Sequence, residues 1–398
     1  MSLLNHISLP HLLIYFILFC FILLSLTYWL PLLYLSCLPV QDLRARYYAD
    51  LRHSLPPQRR PRRRRNSLSP GSISPNRLHD AHDVHDAQAA ATEPWALITG
   101  ASSGIGLALA RQVAAQGIHL VLVARDDALL PEAVQSLRAQ HPAVLVRAVA
   151  VDLSDSRPAP GTDRTGHPPA YPEYLRRIAE ATDDLLHHGT LRLAFSNAGY
   201  LLMSFFRQRT LAEHLRNWEC NVTCALRLSH HLITKWHEYQ KRTGWTGTTA
   251  SGRPAVRPFG LLVFTSSASW FLPSPFAALY GAAKAALSAF AQSLAVEVRD
   301  QGIDVLVVQP SYTRTNLYQE APKLAILEFL DRYTAATPEQ VARTILRSVG
   351  RGVVSREIGG YAYLTRWLGH VLDIGGLCAA MIPFRHHMAE YRLYAQAG

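Results

Sequence analysis

Cysteine is scarce in this chain, with five residues in 398, an odd number, and with Cys20 and Cys37 inside an apolar run. Such usage excludes a disulfide framework, and the spacing matches no metal site, so a reducing compartment fits. Charge is missing altogether from Leu12 to Leu38, and no Lys or Arg occurs before Arg44. Internal repeats are absent too, which excludes a solenoid or propeller. The net charge of +11 sits largely in Arg59, Arg60, Arg62, Arg63, Arg64 and Arg65, leaving the rest closer to neutral. Beyond that cluster no basic face with interleaved aromatics recurs, so nucleic-acid binding has no support.

The uncharged run from Leu12 to Leu38 exceeds the roughly 20 residues needed to cross a bilayer. A cleaved signal peptide is the competing reading, but its apolar core usually spans about 7 to 15 residues behind a positive charge. Pro31 would either kink a spanning helix or turn a shallow hairpin. The flanking arginines all lie on the C-terminal side, which orients the rest of the chain toward the cytosol. From about Arg52 to Thr92 the chain is rich in Arg, Pro, Ser, His and Asp, a composition that cannot bury enough surface to fold. Beside a membrane segment, its arginine cluster suits anionic lipid headgroups better than a nuclear-localisation role. The expected layout is a membrane anchor over residues 1–40, a basic Pro/Ser-rich disordered tether over 41–93, one folded domain over 94–350 and an extension over 351–398.

After the tether, short apolar runs rich in β-formers alternate with helix-length segments. The runs are Trp95 to Thr99, Ile118 to Ala124, Val144 to Val151, Leu191 to Ser196, Gly260 to Ser266 and Ile303 to Gln309. That alternation predicts an α/β fold, a doubly wound parallel sheet with helices on both faces, behind an N-terminal membrane helix. Asp155 to Tyr174 and Lys241 to Pro258 interrupt the pattern and read as surface insertions.

The first strand runs into Thr99-Gly100-Ala101-Ser102-Ser103-Gly104-Ile105-Gly106, which opens a helix from Leu107 to Gln116. Glycines here let the backbone turn tightly and approach a pyrophosphate, whose charge the helix N-terminus stabilises. Gly100, Ser102, Ser103, Ile105 and Gly106 are the candidate contacts; a purely structural strand-to-helix turn is the alternative. Where NAD-selective sites place a carboxylate, the second strand ends in Ala124 and Arg125. Arg125 would neutralise a ribose 2′-phosphate, which favours NADP(H). Asp152, before Leu153, either meets an adenine amino group or caps a following helix. Farther along, Tyr280 and Lys284 share a helix face at i, i+4 spacing, where a nearby ammonium would favour the phenolate and lower the tyrosine pKa.

These motifs, together with Asn197-Ala198-Gly199, Thr265-Ser266-Ser267 and Pro310, occur in an order that resembles the short-chain dehydrogenase/reductase family from about Pro94 to Thr315. The resemblance implies a Rossmann-type fold and a catalytic tetrad of Asn221, Ser267, Tyr280 and Lys284. In that set Tyr280 exchanges the proton, Ser267 holds the substrate oxygen, Lys284 binds the nicotinamide ribose and Asn221 positions a relay water. It further implies cofactor contacts from Leu153, Asn197, Ala198, Gly199, Pro310, Thr313 and Thr315. The family usually has Pro-Gly after the sixth strand, whereas this chain has Pro310-Ser311-Tyr312. Asn221-Val222-Thr223 is a formal glycosylation sequon, read as accidental on a cytosolic domain. Cys220 and Cys224 read as small core residues.

An N-terminal membrane segment ahead of such a domain resembles the 17β-hydroxysteroid dehydrogenase and very-long-chain 3-oxoacyl-CoA reductase relatives. That implies a reductase of a lipidic ketone (3-oxoacyl, 3-ketosphingoid or steroid) on the endoplasmic reticulum membrane. A dehydrogenase of sterol or retinoid alcohols and a non-catalytic membrane or lipid-droplet protein are the alternatives, and a homodimer is compatible with the family. The segment Tyr361 to Phe384 reads as an apolar lid, an interfacial helix or ordinary packing at the sheet edge.

Overall fold

The computed structural model describes residues 34–51, 91–160, 171–245, 258–318 and 335–396, with isolated positions between 15 and 30 and at 332. Its sheet is built from β1 Trp95–Thr99, β2 His119–Ala124, β3 Val146–Ala150, β4 Leu191–Ser196, β5 Gly260–Thr265, β6 Ile303–Pro310 and β7 Ser355–Ile358. The strands lie in the order β3-β2-β1-β4-β5-β6-β7, every neighbouring pair parallel. All positions of β1, β2, β4, β5 and β6 are buried, as expected of a sheet covered on both faces. Strand order reverses between β1 and β4, so this Rossmann-type sheet has its crevice at the carboxyl ends of those strands.

In chain order the helices are α1 Leu43–Tyr47, α2 Gly104–Ala114, α3 Leu129–Gln140, α4 Glu173–His188, α5 Leu211–Trp218, α6 Cys224–Thr243, α7 Ala278–Glu297, α8 Pro338–Ser348, α9 Gly360–Val371, α10 Ile374–Phe384 and α11 Ala389–Gln396. Buried side chains of α1, α2, α3 and α8 fill one face of the sheet, and those of α4, α6 and α7 fill the other. A capping box between Thr210 and Glu213 starts α5, and another between Thr337 and Gln340, with Pro338 at the first turn, starts α8.

The six expected strands are present, each end within two residues of the expected one. A seventh strand, β7, lies beyond residue 350, where the sequence suggested an extension. Its Arg356 and Glu357 hide it from a hydrophobic pattern, because both are buried and engaged by protein partners rather than solvated. Arg356 donates to Ser36 Oγ at 2.7 Å, and Glu357 pairs with Arg366 of α9.

The tether does not begin at residue 41. Leu43, Tyr47 and Tyr48 are at most 1% exposed, beneath the N-terminal ends of the strands. Tyr47 donates its hydroxyl to Asp304 at 2.8 Å, and Tyr48 donates to the Trp95 carbonyl. Arg192 donates to the Tyr47 carbonyl at 2.9 Å and holds both Asp50 oxygens at 2.8 and 2.7 Å. An apolar stripe on one short helix sufficed to dock it, but polar composition averaged over the flanking residues masked the stripe.

The insertions are also shorter than expected. Tyr174 belongs to α4, and α6 continues to Thr243, ending on Gly244 at a φ of 72°. Within the two insertions, residues 161–170 and 246–257 lie outside the described residues. The expected N-terminal membrane helix lies outside them too, apart from isolated positions and residues 34–38. Among the described residues no single helix is long and apolar enough to cross a membrane, although the pair Gly360–Val371 and Ile374–His387, bent by 108°, meets that test together.

Candidate active site

A cavity of about 500 Å³ opens at the carboxyl ends of the strands, a volume typical of small-molecule sites. Its floor is the turn between β1 and α2. Gly100 and Gly104 adopt φ values of 62° and 53°, the left-handed region that favours glycine. A Cβ on Gly106 would strike the Gly100 carbonyl and approach Asn197 Nδ2 to 2.8 Å. Gly106 thus lets α2 seat tightly and does not itself line the cavity, whereas Gly100, Ser102, Ser103, Gly104 and Ile105 do. Thr99 Oγ1 accepts from the backbone N–H of Asn197 and of Ala198, each at 3.0 Å, fastening the loop after β4 to the glycine turn.

Arg125, at the end of β2, has a side chain 77% exposed and pairs loosely with Asp127 at 3.7 Å. Asp152 is not a helix cap, since residues 153–160 after it form a turn and no helix. Its Oδ1 accepts from Ser154 N at 2.9 Å and Ser154 Oγ at 2.7 Å, closing a turn, while its Oδ2 accepts from Arg216 at 2.7 Å. Leu153 is buried beside it and lines the same end. Sequence reading missed Arg216, because nothing marked the α5 face that the Thr210 cap turns toward Asp152.

At the opposite end Ser267, Tyr280 and Lys284 line the cavity together with Asn197, Ala198, Gly199, Pro310, Thr313 and Thr315. The α7 helix is held onto β5 by Ser266, which donates to the Lys284 carbonyl at 2.8 Å and accepts from Ser288 at 2.8 Å. Lys284 Nζ donates to the Thr265 carbonyl at 3.1 Å and lies 5.5 Å from the centre of the Tyr280 ring. Burial pulls the Lys284 ammonium down to about 8. Tyr280 does not follow the expected direction: burial pushes its phenol up to about 12, opposed by a hydrogen bond with Ser267. Desolvation outweighs the Ser267 hydrogen bond, and at neutral pH the tyrosine is a protonated donor.

Asn221 lies in a π-helical turn, Glu219–Thr223, between α5 and α6, a feature frequent at functional sites. It sits behind Gly199 rather than on the cavity wall. Its Nδ2 donates to the carbonyls of Tyr200 and Asn217, both at 3.0 Å, while its buried Oδ1 has no hydrogen-bond partner. A Cβ on Gly199 would come within 2.5 Å of that oxygen and 3.2 Å of Lys284 Nζ, so the glycine keeps a gap between Asn221 and Lys284. With Asn221 1% exposed, the sequon is inaccessible in the fold. Cys220 and Cys224 are likewise buried; burial pushes the Cys220 thiol up to about 12 and raises that of Cys224 as well, so both stay protonated. Thr313 is buried, its hydroxyl donating to the Ser311 carbonyl at 3.0 Å, and Thr315 packs over Gly104.

A left-handed glycine cradle at one end and a buried lysine and tyrosine beside a half-buried serine at the other fit an elongated cofactor whose reacting ring reaches Tyr280. The short chain dehydrogenase family profile matches residues 94–160 and 172–324, more than half of the chain, which therefore belongs to that family. The very-long-chain 3-oxoacyl-CoA reductase of Meyerozyma guilliermondii is 26% identical over 264 residues, covering 66% of this chain and 67% of its own length. Dehydrogenase/reductase SDR family member 7B of Xenopus laevis is 28% identical over 267 residues, 64% of this chain and 70% of that one. Among solved structures, L-sorbose reductase from Gluconobacter frateurii complexed with NADPH and L-sorbose is similar with a TM-score of 0.52 at 26% identity, covering 68% of this chain and 97% of that chain. The chain is an oxidoreductase acting on CH–OH or C=O groups, on a fold that binds a nicotinamide cofactor.

Proposed function

We propose that this protein is an NADPH-dependent reductase of a lipidic ketone, held at the endoplasmic reticulum membrane with its catalytic domain in the cytosol. The observation that carries the chemistry is the placement of Ser267 on one cavity wall with the buried Tyr280 and Lys284, with Tyr280 protonated at neutral pH. The bound nicotinamide supplies the hydride. Ser267 holds the carbonyl oxygen, and Tyr280 delivers its hydroxyl proton to that oxygen as the new C–H bond forms. Lys284, fixed by the Thr265 carbonyl, orients the ribose and stabilises the phenolate left behind. Proton return has a path through the gap at Gly199, where the Asn221 oxygen accepts from a relay water.

At the adenine end, Gly100, Ser102, Ser103 and Ile105 cradle the diphosphate, and Asp152 and Leu153 meet the base. Exposed Arg125 has no carboxylate beside it at Ala124, which supports the 2′-phosphorylated cofactor. Asn197, Ala198, Gly199, Pro310, Thr313 and Thr315 enclose the nicotinamide. A lipidic substrate rests on the uncharged N-terminal run and on the likeness to very-long-chain 3-oxoacyl-CoA reductases. The test is NADPH oxidation by the detergent-solubilised full chain against 3-oxoacyl-CoA, 3-ketosphingoid, steroid and retinal substrates. Turnover confined to small water-soluble sugars or alcohols contradicts the lipid assignment.

A further inference from the structure

Among the described residues, the apolar helix α10 is only partly covered: Ile374, Leu377, Cys378 and Met381 are half-buried, and its other residues are exposed. From Ile374 to Phe384, α10 carries no charged residue and buries none of its residues. Ile382 is 59% and Phe384 64% exposed, and Val371 and Leu372 just before it are 53% and 43% exposed. The helix needs no partner to end its backbone, since Asp373 caps it by accepting from Gly376 N at 2.5 Å. Soluble surfaces scatter single apolar residues but rarely collect them this way.

The neighbours of α10 belong to the active site. On one side α9 packs against the turn that follows Ser267: the Arg366 guanidinium lies 5.9 Å from the Phe271 ring, and Gly369 faces the Phe271 carbonyl. On the other side α11 sets Tyr391 and Tyr394 against Phe205, with ring centres 5.4 and 6.4 Å away, and Tyr394 6.1 Å from Phe276. Gln208 fixes α11 by donating to the Tyr394 carbonyl at 2.8 Å. Phe205 follows the loop Asn197–Leu201 of the cavity wall, and Phe276, at a strained φ of 64°, precedes Tyr280 by one helical turn. The two helices flanking α10 therefore brace both loops at the substrate end.

We propose that α10 lies in the interfacial layer of a lipid bilayer and that the gap between the loops braced by α9 and α11 admits an amphiphilic ketone directly from that layer. The idea rests on the lipidic-carbonyl reading and gives it a route. Eleven residues at about 1.5 Å each span roughly half of a hydrocarbon core of about 30 Å, so α10 lies on the membrane and does not cross it. Arg385, His386 and His387 follow it, exposed, where anionic headgroups would sit. The uncharged N-terminal run reaches the fold at the same sheet edge. Arg356 of β7 donates to Ser36 Oγ, Arg347 donates to the Ser36 carbonyl at 3.2 Å, and α9 starts directly after β7. One bilayer can thus meet both apolar segments.

The full chain is reconstituted into phosphatidylcholine–phosphatidylserine vesicles and compared with its Ile382→Glu/Phe384→Glu variant, both positions being exposed. Two substrates are used, a short water-soluble 3-oxo ester and a long-chain 3-oxo ester resident in the bilayer. The variant is expected to lose about tenfold or more in kcat/KM for the long-chain ester and to keep its short-chain rate. In a Cys20→Ser/Cys37→Ser chain, where buried Cys220 and Cys224 resist labelling, bimane on Cys378 should be quenched by lipids brominated near the headgroup and shielded from aqueous iodide. Equal loss for both esters, or quenching by iodide alone, overturns the proposal, as does a dye shielded in detergent by dimerisation, which would make a second copy the occupant. Failure of the lipid-carbonyl reading looks different: the wild type turns over only the short ester while the dye still reports lipid depth.

Discussion

Lys284 holds opposed demands of stability and chemistry in one side chain. Its ammonium is buried and its folded pKa, about 8, lies below the usual 10.5. A cation with a depressed folded pKa penalises the folded state at every pH below about 8, and the penalty fades as pH climbs from there toward 10.5, where both states have lost the proton. The difference corresponds to up to about 3 kcal/mol. Lys284→Met should therefore unfold later than wild type in a denaturant titration at pH 7, with the advantage shrinking by pH 10, while losing its activity. An equal or smaller stability at pH 7 would show that the lysine is not held against its own desolvation. Arg125 makes a separate prediction about cofactor choice. Arg125→Asp should shift the kcat/KM ratio from NADPH toward NADH, because a carboxylate repels the 2′-phosphate and accepts from a ribose hydroxyl. If the ratio stays put, another group, with Ser103 the nearest candidate on the glycine turn, reads the phosphate.

Elements carry the site because their termini converge. The β1–α2 turn, the loop after β4 and the π-turn at Glu219–Thr223 meet at Gly199, where an added methyl would crowd Asn221. Gly199→Ala should lower kcat while the Kd for NADPH changes little, measured by single-turnover kinetics and cofactor fluorescence. A matched loss of both would mean the loop as a whole has shifted. How far the sequence disclosed these elements follows from where their information lies. Strands β1 to β6 were legible because β-branched and aliphatic runs, broken by no more than one charged residue such as Arg147, Arg192 or Asp304, mark buried parallel strands, and the glycine turn and Tyr280–Lys284 pair were legible because local spacing defines them. β7 was not, since Arg356 hydrogen-bonds Ser36 and Glu357 pairs with Arg366, one of these partners more than 300 residues away. The α1 helix was hidden for the same reason: its stability comes from Asp304, Arg192 and Trp95, contacts no local window contains. Arg216 likewise acquires meaning only when α5 is set beside Asp152.

At the scale of the whole molecule, α1 joins the membrane-prone segment to the base of the sheet, so truncations on either side of it should behave differently. Removing residues 1–33 should leave a folded enzyme, whereas removing 1–51 exposes the buried carboxylate of Asp304 and the Arg192 guanidinium and should cost several degrees of Tm. Equal melting of the two truncations would mean that α1 adds nothing. Orientation is read by protease treatment of sealed microsomes, which should digest the catalytic domain; a protected domain would reverse the assignment. A glycan at Asn221 is a poor reporter, because that side chain is buried on either side of the membrane. The central claim, hydride transfer to a lipid ketone with Tyr280 as proton donor, is tested most directly by isotope tracing. The full chain is incubated with NADPH deuterated at both hydrogens of the nicotinamide C4 and a long-chain 3-oxoacyl-CoA, and the product is analysed by mass spectrometry. One deuterium should appear on the new carbinol carbon with wild type, and the rate should fall by about 10² or more with Tyr280→Phe at nearly unchanged NADPH affinity. Unlabelled product, or a Tyr280→Phe protein keeping more than about a tenth of the rate, would contradict the account.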